Sequence, residues 1–375
     1  MGQILSAPIT TKNSSEGKDD RLMFGASSMQ GWRITMEDAH THILQYKDTG
    51  AAFFAVFDGH GGANVAKYSS EKLPENVIDS ADFEMGDFES SLRKGFLKID
   101  SDLREGDDET SKQNRIMFLC INFKKMLDPT YVSEASGCTA IVALLTKDNV
   151  LYVSNAGDSR AILCTAGVAH PLSDDHKPGN PKETERITKA GGHVEFGRVN
   201  GNLALSRALG DFEFKTARDL PAEEQAVTAD PDITAHTMTE KDEFMVLACD
   251  GIWDCLTNQE VATFIRSRIV EGISLKEICE RLMDHCLAEK TGTGGVGCDN
   301  MTVEIVAFLN GQTEEEWYQK INRTSDLTVK CAISVESEEP DVKKQQDMQS
   351  ESRQYSVEEL KSSPDLTSSL THEEK

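Results

Sequence analysis

Two continuous apolar runs stand out along the chain, and each ends in an Asp-Gly pair. Residues 52–57 (AFFAVF) lead into Asp58-Gly59, and residues 244–249 (FMVLAC) lead into Asp250-Gly251. A short apolar run that stops at a turn signal predicts a strand covered on both faces. Each of these strands therefore carries an aspartate to the edge of the core.

Further strands are predicted where apolar and β-branched residues cluster between turn signals. They cover residues 24–28, 42–46, 139–145, 150–153, 161–164 and 301–306. Two of these strands also have an aspartate close to one end. The run at 150–153 leads through a Ser-Asn-Ala-Gly turn to Asp158, and Asp299 stands just before the run at 301–306.

Apolar residues at helical spacing predict helices between these strands. Thr257 with Glu260 and Ser274 with Glu277 are capping boxes, each at the start of an apolar-periodic segment. Helices are also predicted over residues 61–73, over 92–103, and from 181 to the Gly-Gly pair at 191–192. Because the strands do not alternate strictly with the helices, the predicted fold class is α+β.

The chain divides into three parts by composition. Residues 22–321 have the pattern of a globular domain. Residues 1–21 form a short, polar segment, which we expect to be loose. Residues 322–375 contain 12 acidic and 7 basic side chains and a single aromatic, Tyr355. We expect a disordered acidic tail there, because such a segment buries too little apolar surface to offset its ordering entropy.

One segment departs from the pattern of the domain. Residues 106–135 follow a run of charges and contain the apolar stretch 116–121 (IMFLCI), which is too short to span a membrane. The insertion is either a surface loop with its own buried patch or an artefact of the gene model, such as a retained intron. Sequence alone leaves both alternatives open.

The overall charge and the cysteines exclude several classes of protein. The chain has 375 residues, with 64 acidic and 39 basic side chains and a formal net charge of -25, which argues against binding nucleic acid through a basic face. No apolar stretch reaches the ~18 residues of a membrane span, and the start lacks the pattern of a secretory signal. Nine cysteines without a Cys-x-x-Cys pair favour a reducing compartment over a disulfide framework.

These exclusions predict a protein of the cytoplasm and nucleus. The first residues, MGQILS, satisfy the myristoylation pattern with Gly2 as the acceptor. A single acyl chain gives only marginal attachment. We therefore expect membrane contact only if Gly2 is acylated.

Acidic side chains at strand ends are the main candidates for chemistry. The set is Glu37, Asp38, Asp58, Asp158, Asp250, Asp254 and Asp299. A lone Asp-Gly pair is an ordinary turn, but several carboxylates that converge repel one another unless a cation neutralises them. Donors that are all oxygen favour Mg²⁺ or Mn²⁺ over zinc.

Two further residues could act beside such a site. Arg33 stands four residues before Glu37 and could bind a phosphate through two guanidinium nitrogens; its alternative is an ordinary ion pair with that glutamate. His60 directly follows Asp58-Gly59 and could donate a proton near neutral pH. Its alternative is a hydrogen-bonded turn histidine.

In chain order, these residues lie in blocks that resemble the signature of the metal-dependent type 2C protein serine/threonine phosphatases. The blocks are residues 28–33 (SMQGWR), 36–40 (MEDAH), 57–62 (FDGHGG), 136–140 (SGCTA), 155–160 (NAGDSR), 175–178 (DHKP), 198–201 (RVNG), 203–211 (LALSRALGD), 249–254 (CDGIWD) and 298–302 (CDNMT). The helix with Glu316-Trp317-Tyr318 after the last strand is most similar to the fungal branch. The resemblance covers roughly residues 24–321.

The resemblance implies a fold and a reaction. The fold is an αββα sandwich, in which two central antiparallel sheets are flanked by helix pairs. The reaction is hydrolysis of phosphoserine or phosphothreonine in proteins by a metal-bridged hydroxide at a binuclear Mg²⁺ or Mn²⁺ centre, without a phosphoenzyme intermediate. It also implies two ions per subunit with a weak third, and a mobile flap over about residues 174–199.

The resemblance further implies a role for each candidate residue. Asp58 would bridge both ions, and Asp158 and Asp254 would join Asp250 at the weak third position. The full ligand set would be Glu37, Asp38, Asp58, the Gly59 carbonyl, Asp158, Asp250, Asp254 and Asp299. Arg33 matches the phosphate-binding arginine and His60 the proposed general acid.

Two other functions compete with this interpretation. A non-catalytic pseudophosphatase that binds phosphoproteins is disfavoured, because no ligand of the family is missing. A hydrolase of small phosphate esters is disfavoured only by the resemblance itself. Likeness to stress-signalling phosphatases points to stress-pathway kinases among the phosphoprotein substrates, and a monomer is the simplest expectation.

Overall fold

The computed structural model of the chain describes residues 4–111, 135–291 and 295–323, with the backbone alone for residues 105–111. The strands in these ranges are β1 (Ile4–Lys18), β2 (Leu22–Arg33), β3 (Ala39–Ile43), β4 (Ala52–Phe57), β5 (Gly59–His60), β6 (Gly137–Cys138), β7 (Ala140–Leu145), β8 (Val150–Ala156), β9 (Arg160–Thr165), β10 (Val168–Pro171), β11 (Val194–Glu195), β12 (Arg198–Val199), β13 (Leu209–Gly210), β14 (Asp232–Thr237), β15 (Asp242–Ala248) and β16 (Met301–Phe308). The helices are α1 (Asn64–Ile78), α2 (Ala81–Glu84), α3 (Phe88–Ser111), α4 (Pro181–Lys189), α5 (Asp250–Trp253), α6 (Asn258–Val270), α7 (Leu275–Cys286) and α8 (314–323).

Two large antiparallel sheets lie face to face. One has the strand order β1-β2-β16-β15-β9-β10, and the other has the order β14-β8-β7-β4-β3. Their inner faces meet in a core that includes Phe24 and Met245 from the first sheet and Phe54 and Ile141 from the second. Because side chains alternate along a strand, each sheet also has a second apolar face to cover.

Helices cover both outer faces. Val261 of α6, Leu282 of α7 and Trp317 of α8 pack on the first sheet, while Leu73 of α1 and Phe96 of α3 pack on the second. The result is the predicted α+β class with helix, sheet, sheet and helix layers. No helix in the described ranges is both long enough and apolar enough to cross a bilayer.

Several predicted elements agree with the structure, and others shift along the chain. The run at 52–57 is β4 as predicted, and Thr257 and Glu260 form the complete capping box of α6. At α7 only half of the predicted box forms, because Ser274 accepts from the Glu277 N–H without the reciprocal bond. The strand predicted at 42–46 is β3 at Ala39–Ile43, and the helix predicted at 61–73 is α1 at Asn64–Ile78.

The prediction that residues 1–21 are loose is wrong for most of that segment. Residues 4–18 form β1, which pairs antiparallel with β2, and Lys276 binds Glu16 at 2.8 Å. An edge strand is held through its backbone hydrogen bonds, so it needs few apolar side chains. The acidic tail predicted at 322–375 lies outside the described residues from 324 onward, and most of the insertion predicted at 106–135 lies outside them as well.

Candidate active site

The acidic candidates gather at one end of the sandwich. Asp58 follows β4, Asp158 lies between β8 and β9, Asp250 begins α5 directly after β15, and Asp299 precedes β16. β15 and β16 pair antiparallel, so the end of one lies beside the start of the other. This topology explains why aspartates far apart in the sequence come together.

The electrostatics of these carboxylates reflect their closeness. Burial raises the pKa of Asp58 well above its ordinary value, and repulsion from Asp38, Asp250 and Asp299 raises it further. Burial likewise raises the pKa of Asp250 well above its ordinary value, with added repulsion from Asp158, Asp299 and Asp254. Buried carboxylates that repel one another favour either protons or bound cations.

One carboxylate oxygen of Asp38 accepts no hydrogen bond from the residues that the structure describes. Its Oδ2 accepts a hydrogen bond from Thr302 Oγ1 at 2.7 Å, whereas its Oδ1 is buried without a hydrogen bond. Burial raises the pKa of Asp38 to about 7, although the Thr302 hydrogen bond opposes the shift. A buried oxygen without a hydrogen bond lowers the stability of the fold. A bound metal ion would remove this cost, so Asp38 Oδ1 suits the role of a metal ligand.

Asn300 fixes the loop that carries Glu37 and Asp38. Its Oδ1 accepts from the Glu37 backbone N–H at 3.0 Å, and its Nδ2 donates to the carbonyls of Gln30 at 2.8 Å and Thr35 at 3.0 Å. Asn300 belongs to the CDNMT block, in which only Asp299 is predicted to have a role. Its position directly after Asp299 was the only available signal.

The Asp58-Gly59 turn is fixed by close packing on both sides. The Asp58 N–H donates to Thr139 Oγ1 at 3.1 Å, and the Thr139 N–H donates to the Asp58 carbonyl at 2.9 Å. A Cβ at Gly59 would lie 2.3 Å from the Glu37 carbonyl oxygen. Only glycine therefore lets this backbone approach the loop that contains Glu37.

Two cations neutralise part of the cluster. The Arg33 guanidinium binds the carboxylate of Asp299, so its partner is not Glu37, and Lys177 Nζ binds Asp158. Lys177 was quoted in the DHKP block, but its pairing with a candidate ligand was not foreseen. Its charge also opposes the rise in the pKa of Asp254 that burial causes.

His60 has a buried carboxylate partner that the sequence did not reveal. Its Nε2 lies 2.9 Å from Asp211 Oδ1 and 2.8 Å from Asp211 Oδ2. Burial alone would lower the pKa of His60, but the charge and hydrogen bonds of Asp211 outweigh it and raise the pKa. A Cβ at Gly137 would lie 2.4 Å from Asp211 Oδ2, so glycine there leaves room for the pair.

The structure thus brings all the predicted site residues to one end of the sandwich. The donors around the cluster are oxygen atoms, several carboxylates repel one another, and Asp38 Oδ1 accepts no hydrogen bond within the described ranges. This donor set fits hard divalent cations such as Mg²⁺ and Mn²⁺.

Comparison with known proteins gives consistent results. The family model for protein phosphatase 2C matches residues 22–294. The chain is 50% identical over 330 residues to protein phosphatase 2C homolog 2 of Hypocrea jecorina, covering 86% of this chain and 70% of that protein. It is 48% identical over 328 residues to protein phosphatase 2C homolog 2 of Schizosaccharomyces pombe, covering 86% and 83% of the two chains.

A solved structure agrees with these sequence matches. A crystal structure of a phosphatase from Toxoplasma gondii superimposes with a TM-score of 0.65 at 26% sequence identity, covering 81% of this chain and 97% of the other. The structural similarity therefore extends across the sandwich. The two relatives that are about half identical to this chain are fungal proteins.

Proposed function

The chain belongs to the protein phosphatase 2C family and is a metal-dependent serine/threonine phosphatase, and from that premise we propose how its own residues carry out the reaction. The carboxylate cluster would hold two divalent ions, Mg²⁺ or Mn²⁺, with a weaker third. The ligands of the first two would be Glu37, Asp38, Asp58, the Gly59 carbonyl, Asp250 and Asp299. Asp158 and Asp254 would serve the third position with Asp250.

The observation that carries this assignment is Asp38 Oδ1, a buried carboxylate oxygen without a hydrogen bond beside carboxylates that repel one another. When bound there, divalent cations would lower the pKa of a water molecule and so supply the nucleophile. The protein's part is to hold these ligands, which the hydrogen bonds of Asn300, Thr139 and Thr302 support.

Arg33 orients the phosphate group. Its side chain is 42% exposed and binds Asp299 through one nitrogen, NH2. With Asp299 serving as a metal ligand, the guanidinium would be free to bind a phosphoryl group through two nitrogens. Its role is therefore to position the phosphorus for in-line attack.

His60 supplies the proton for the leaving serine or threonine oxygen. The Asp211 carboxylate raises the pKa of the imidazole, which keeps the protonated form available at neutral pH. Asp211 also fixes the direction of Nε2, because both of its oxygens lie within hydrogen-bond distance. Because Nε2 is bound to Asp211, the proton transferred as the bond from phosphorus to the leaving oxygen breaks is the one on Nδ1.

No protein nucleophile takes part in this scheme. Cys249, next to Asp250, is buried, and burial raises the pKa of its thiol well above the ordinary value. Burial also raises the pKa of the Cys138 thiol. Both side chains therefore stay as unreactive thiols at neutral pH.

Phosphoproteins are the proposed substrates, with stress-pathway kinases among them. Residues 174–199, which include α4 and the β11–β12 hairpin, are proposed as the flap that contributes to substrate choice. We further propose a monomer of the cytoplasm and nucleus that contacts membranes only if Gly2 is acylated. The substrates and the flap follow from resemblance to the family, the location from the composition of the chain, and the acylation from the MGQILS pattern.

Phosphate release from a phosphothreonine peptide tests the function directly. Wild type should need Mn²⁺ or Mg²⁺ and lose activity in EDTA, and Asp250→Asn should lose both activity and metal binding measured by calorimetry. Asp48→Asn, at an exposed aspartate away from the cluster, is the matched control. Metal-independent turnover would contradict the proposal, and equal rates on the peptide and on free phosphothreonine would favour a small-ester hydrolase.

A further inference from the structure

A second group of possible metal ligands lies outside the carboxylate cluster. His40 and His42 of β3 and Glu304 of β16 each offer one ligand atom, and these atoms all lie within 4.8 Å of one another. It is the one group of three histidine, cysteine or acidic ligands this close together in the described ranges. The phosphatase reaction as described uses none of the three.

The geometry of the group follows from strand alternation. His40 and His42 are two residues apart on β3, so both point to the same face, and their ring centroids are 5.5 Å apart. That face looks across the sandwich to β16, where Glu304 Oε1 lies 3.3 Å from His42 Nδ1. The three side chains therefore converge from two different sheets.

Glu304 is the most unusual member of the group. Its side chain is 0% exposed, and within the part of the chain that the structure describes no hydrogen bond reaches its Oε2. Burial raises the pKa of Glu304 to about 7, although the hydrogen bond with His42 and a backbone hydrogen bond from Ala55 oppose the rise. A buried carboxylate with so few partners loses more hydration than they replace. The ring of Phe24 lies 4.5 Å from that of His42, so one wall of the group is apolar.

The group has an entry path from solvent. β3 is the last strand of its sheet, and the His42 side chain is 28% exposed. An ion could thus reach the two imidazoles from the sheet edge. The Glu304 carboxylate lies on the buried side of the group. One coordination position would remain open towards solvent.

The group is also separate from the catalytic carboxylates. Thr302, which binds Asp38, stands two residues before Glu304 on β16, and Asp38 stands two residues before His40. Two residues along a strand correspond to about 6.6 Å. The new group therefore lies one side-chain layer further along the strands than the catalytic carboxylates, and it consists of different side chains.

We propose that His40, His42 and Glu304 bind a single Zn²⁺ ion that joins the edge strand β3 to β16. Two imidazole nitrogens and one carboxylate oxygen with an open fourth position form a typical zinc ligand set, whereas Mg²⁺ prefers all-oxygen donors. The ion satisfies the buried carboxylate of Glu304. It also stabilises the start of β3, which directly follows Glu37 and Asp38.

Zinc binding to the full-length protein tests the proposal without reference to activity. The protein is stripped with a chelator, saturated with Mg²⁺ to fill the carboxylate cluster, dialysed against Zn²⁺, and analysed for bound zinc. Wild type should retain one zinc ion per chain, and His42→Ala should bind it at least about 100-fold more weakly, since even indirect partners of a metal ligand contribute 10- to 100-fold. Zn²⁺ should raise the Tm of wild type but not that of the variant.

Two further variants make the result specific. Glu304→Gln keeps the size of the buried side chain and should also lose the zinc, which covers the case in which His42→Ala folds poorly. His193→Ala is the matched control, because His193 lies 3.8 Å from Glu195 in an exposed pair, and it should bind zinc as wild type does. Equal zinc in wild type and both site variants, or none in wild type, would overturn the proposal and leave His42 and Glu304 as an ion pair only.

Discussion

Asp211 holds the imidazole of His60 from a position 151 residues away in the chain, with both carboxylate oxygens within 2.9 Å of Nε2. The Asp211 side chain is 1% exposed, and that of His60 is 29% exposed. The carboxylate of Asp211 is therefore buried, while the imidazole of His60 is accessible to solvent. This arrangement suits a proton donor that must meet a substrate while keeping a fixed orientation.

Replacing Asp211 by asparagine should slow the release of alkoxide leaving groups. The imidazole would lose the charge that raises its pKa, so less of it is protonated at neutral pH. We expect kcat on a phosphothreonine peptide to fall at least about tenfold, which is part of the ~10²–10⁴ that a complete general acid contributes. Asp211 has a φ of 50°, which asparagine tolerates well, so the variant should fold.

The leaving group provides the control for this prediction. p-Nitrophenolate leaves without being protonated, so the rate on p-nitrophenyl phosphate should change by about threefold or less. The same loss on both substrates would mean that Asp211 supports the fold or the metal ligands rather than the proton donor.

Replacing Asn300 by alanine should weaken metal binding. The change removes the acceptor of the Glu37 N–H and the donor to the carbonyls of Gln30 and Thr35. We expect about 10- to 100-fold more Mn²⁺ to be needed for half-maximal activity, as for other partners of metal ligands, and a stability loss of about 1–3 kcal/mol. Metal titration and urea denaturation measure the two effects, and an unchanged Mn²⁺ requirement would show that the loop keeps its position without Asn300.

Replacing Lys177 by glutamine should strengthen cation binding near Asp158. Lys177 binds that carboxylate, so it would compete with a divalent ion there, and its removal also leaves Asp250 and Asp254 with less compensating charge. We expect the weakest Mn²⁺ site to tighten by about tenfold, equivalent to ~1.4 kcal/mol, and the metal-free protein to lose stability. Calorimetry with Mn²⁺ measures this, with Lys182→Gln at an exposed position as control; weaker binding would mean that Lys177 orients Asp158 as a ligand.

Glu183 makes stability depend on pH. Burial would raise the pKa of Glu183, but hydrogen bonds from Arg207 and the charge of Arg186 outweigh it and lower the pKa from 4.5 to about 2. A pKa lowered by folding adds stability above pH 4.5 that is lost as the pH falls from 4.5 towards 2. Glu183→Gln should therefore be less stable at pH 7 by on the order of 3 kcal/mol.

The pH profile separates this effect from general acid denaturation. The difference in unfolding free energy between wild type and Glu183→Gln should shrink as the pH falls from 4.5 towards 2. Glu185→Gln, at an exposed position two residues along the same helix, should follow wild type throughout. A difference that stays constant with pH would mean that packing rather than charge stabilises Glu183.

The sequence predicted those parts of the molecule that leave a local pattern. Apolar runs indicated β4 and β15, and the aspartates at their ends indicated the carboxylate cluster. β1 left no such pattern, because backbone pairing holds it to β2 and the side chains of an edge strand are free to be polar. The prediction that residues 1–21 are loose was therefore wrong for β1.

The partners of the site residues could not be predicted for a different reason. Asp211, Lys177 and Asn300 each stand in a quoted block, but their contacts join positions that are distant in the chain or depend on side-chain direction. Glu304 likewise appeared only as one acid in an apolar run. Pairing across the two sheets sets its neighbours, and no periodicity along one strand contains that information.

The register between β1 and β2 has a practical consequence for anyone who handles this protein. Ile4 lies opposite Arg33, so β1 begins beside the residue whose guanidinium is proposed to bind phosphate. A bulky label attached at Ile4 would therefore stand close to the active site and hinder large substrates more than small ones.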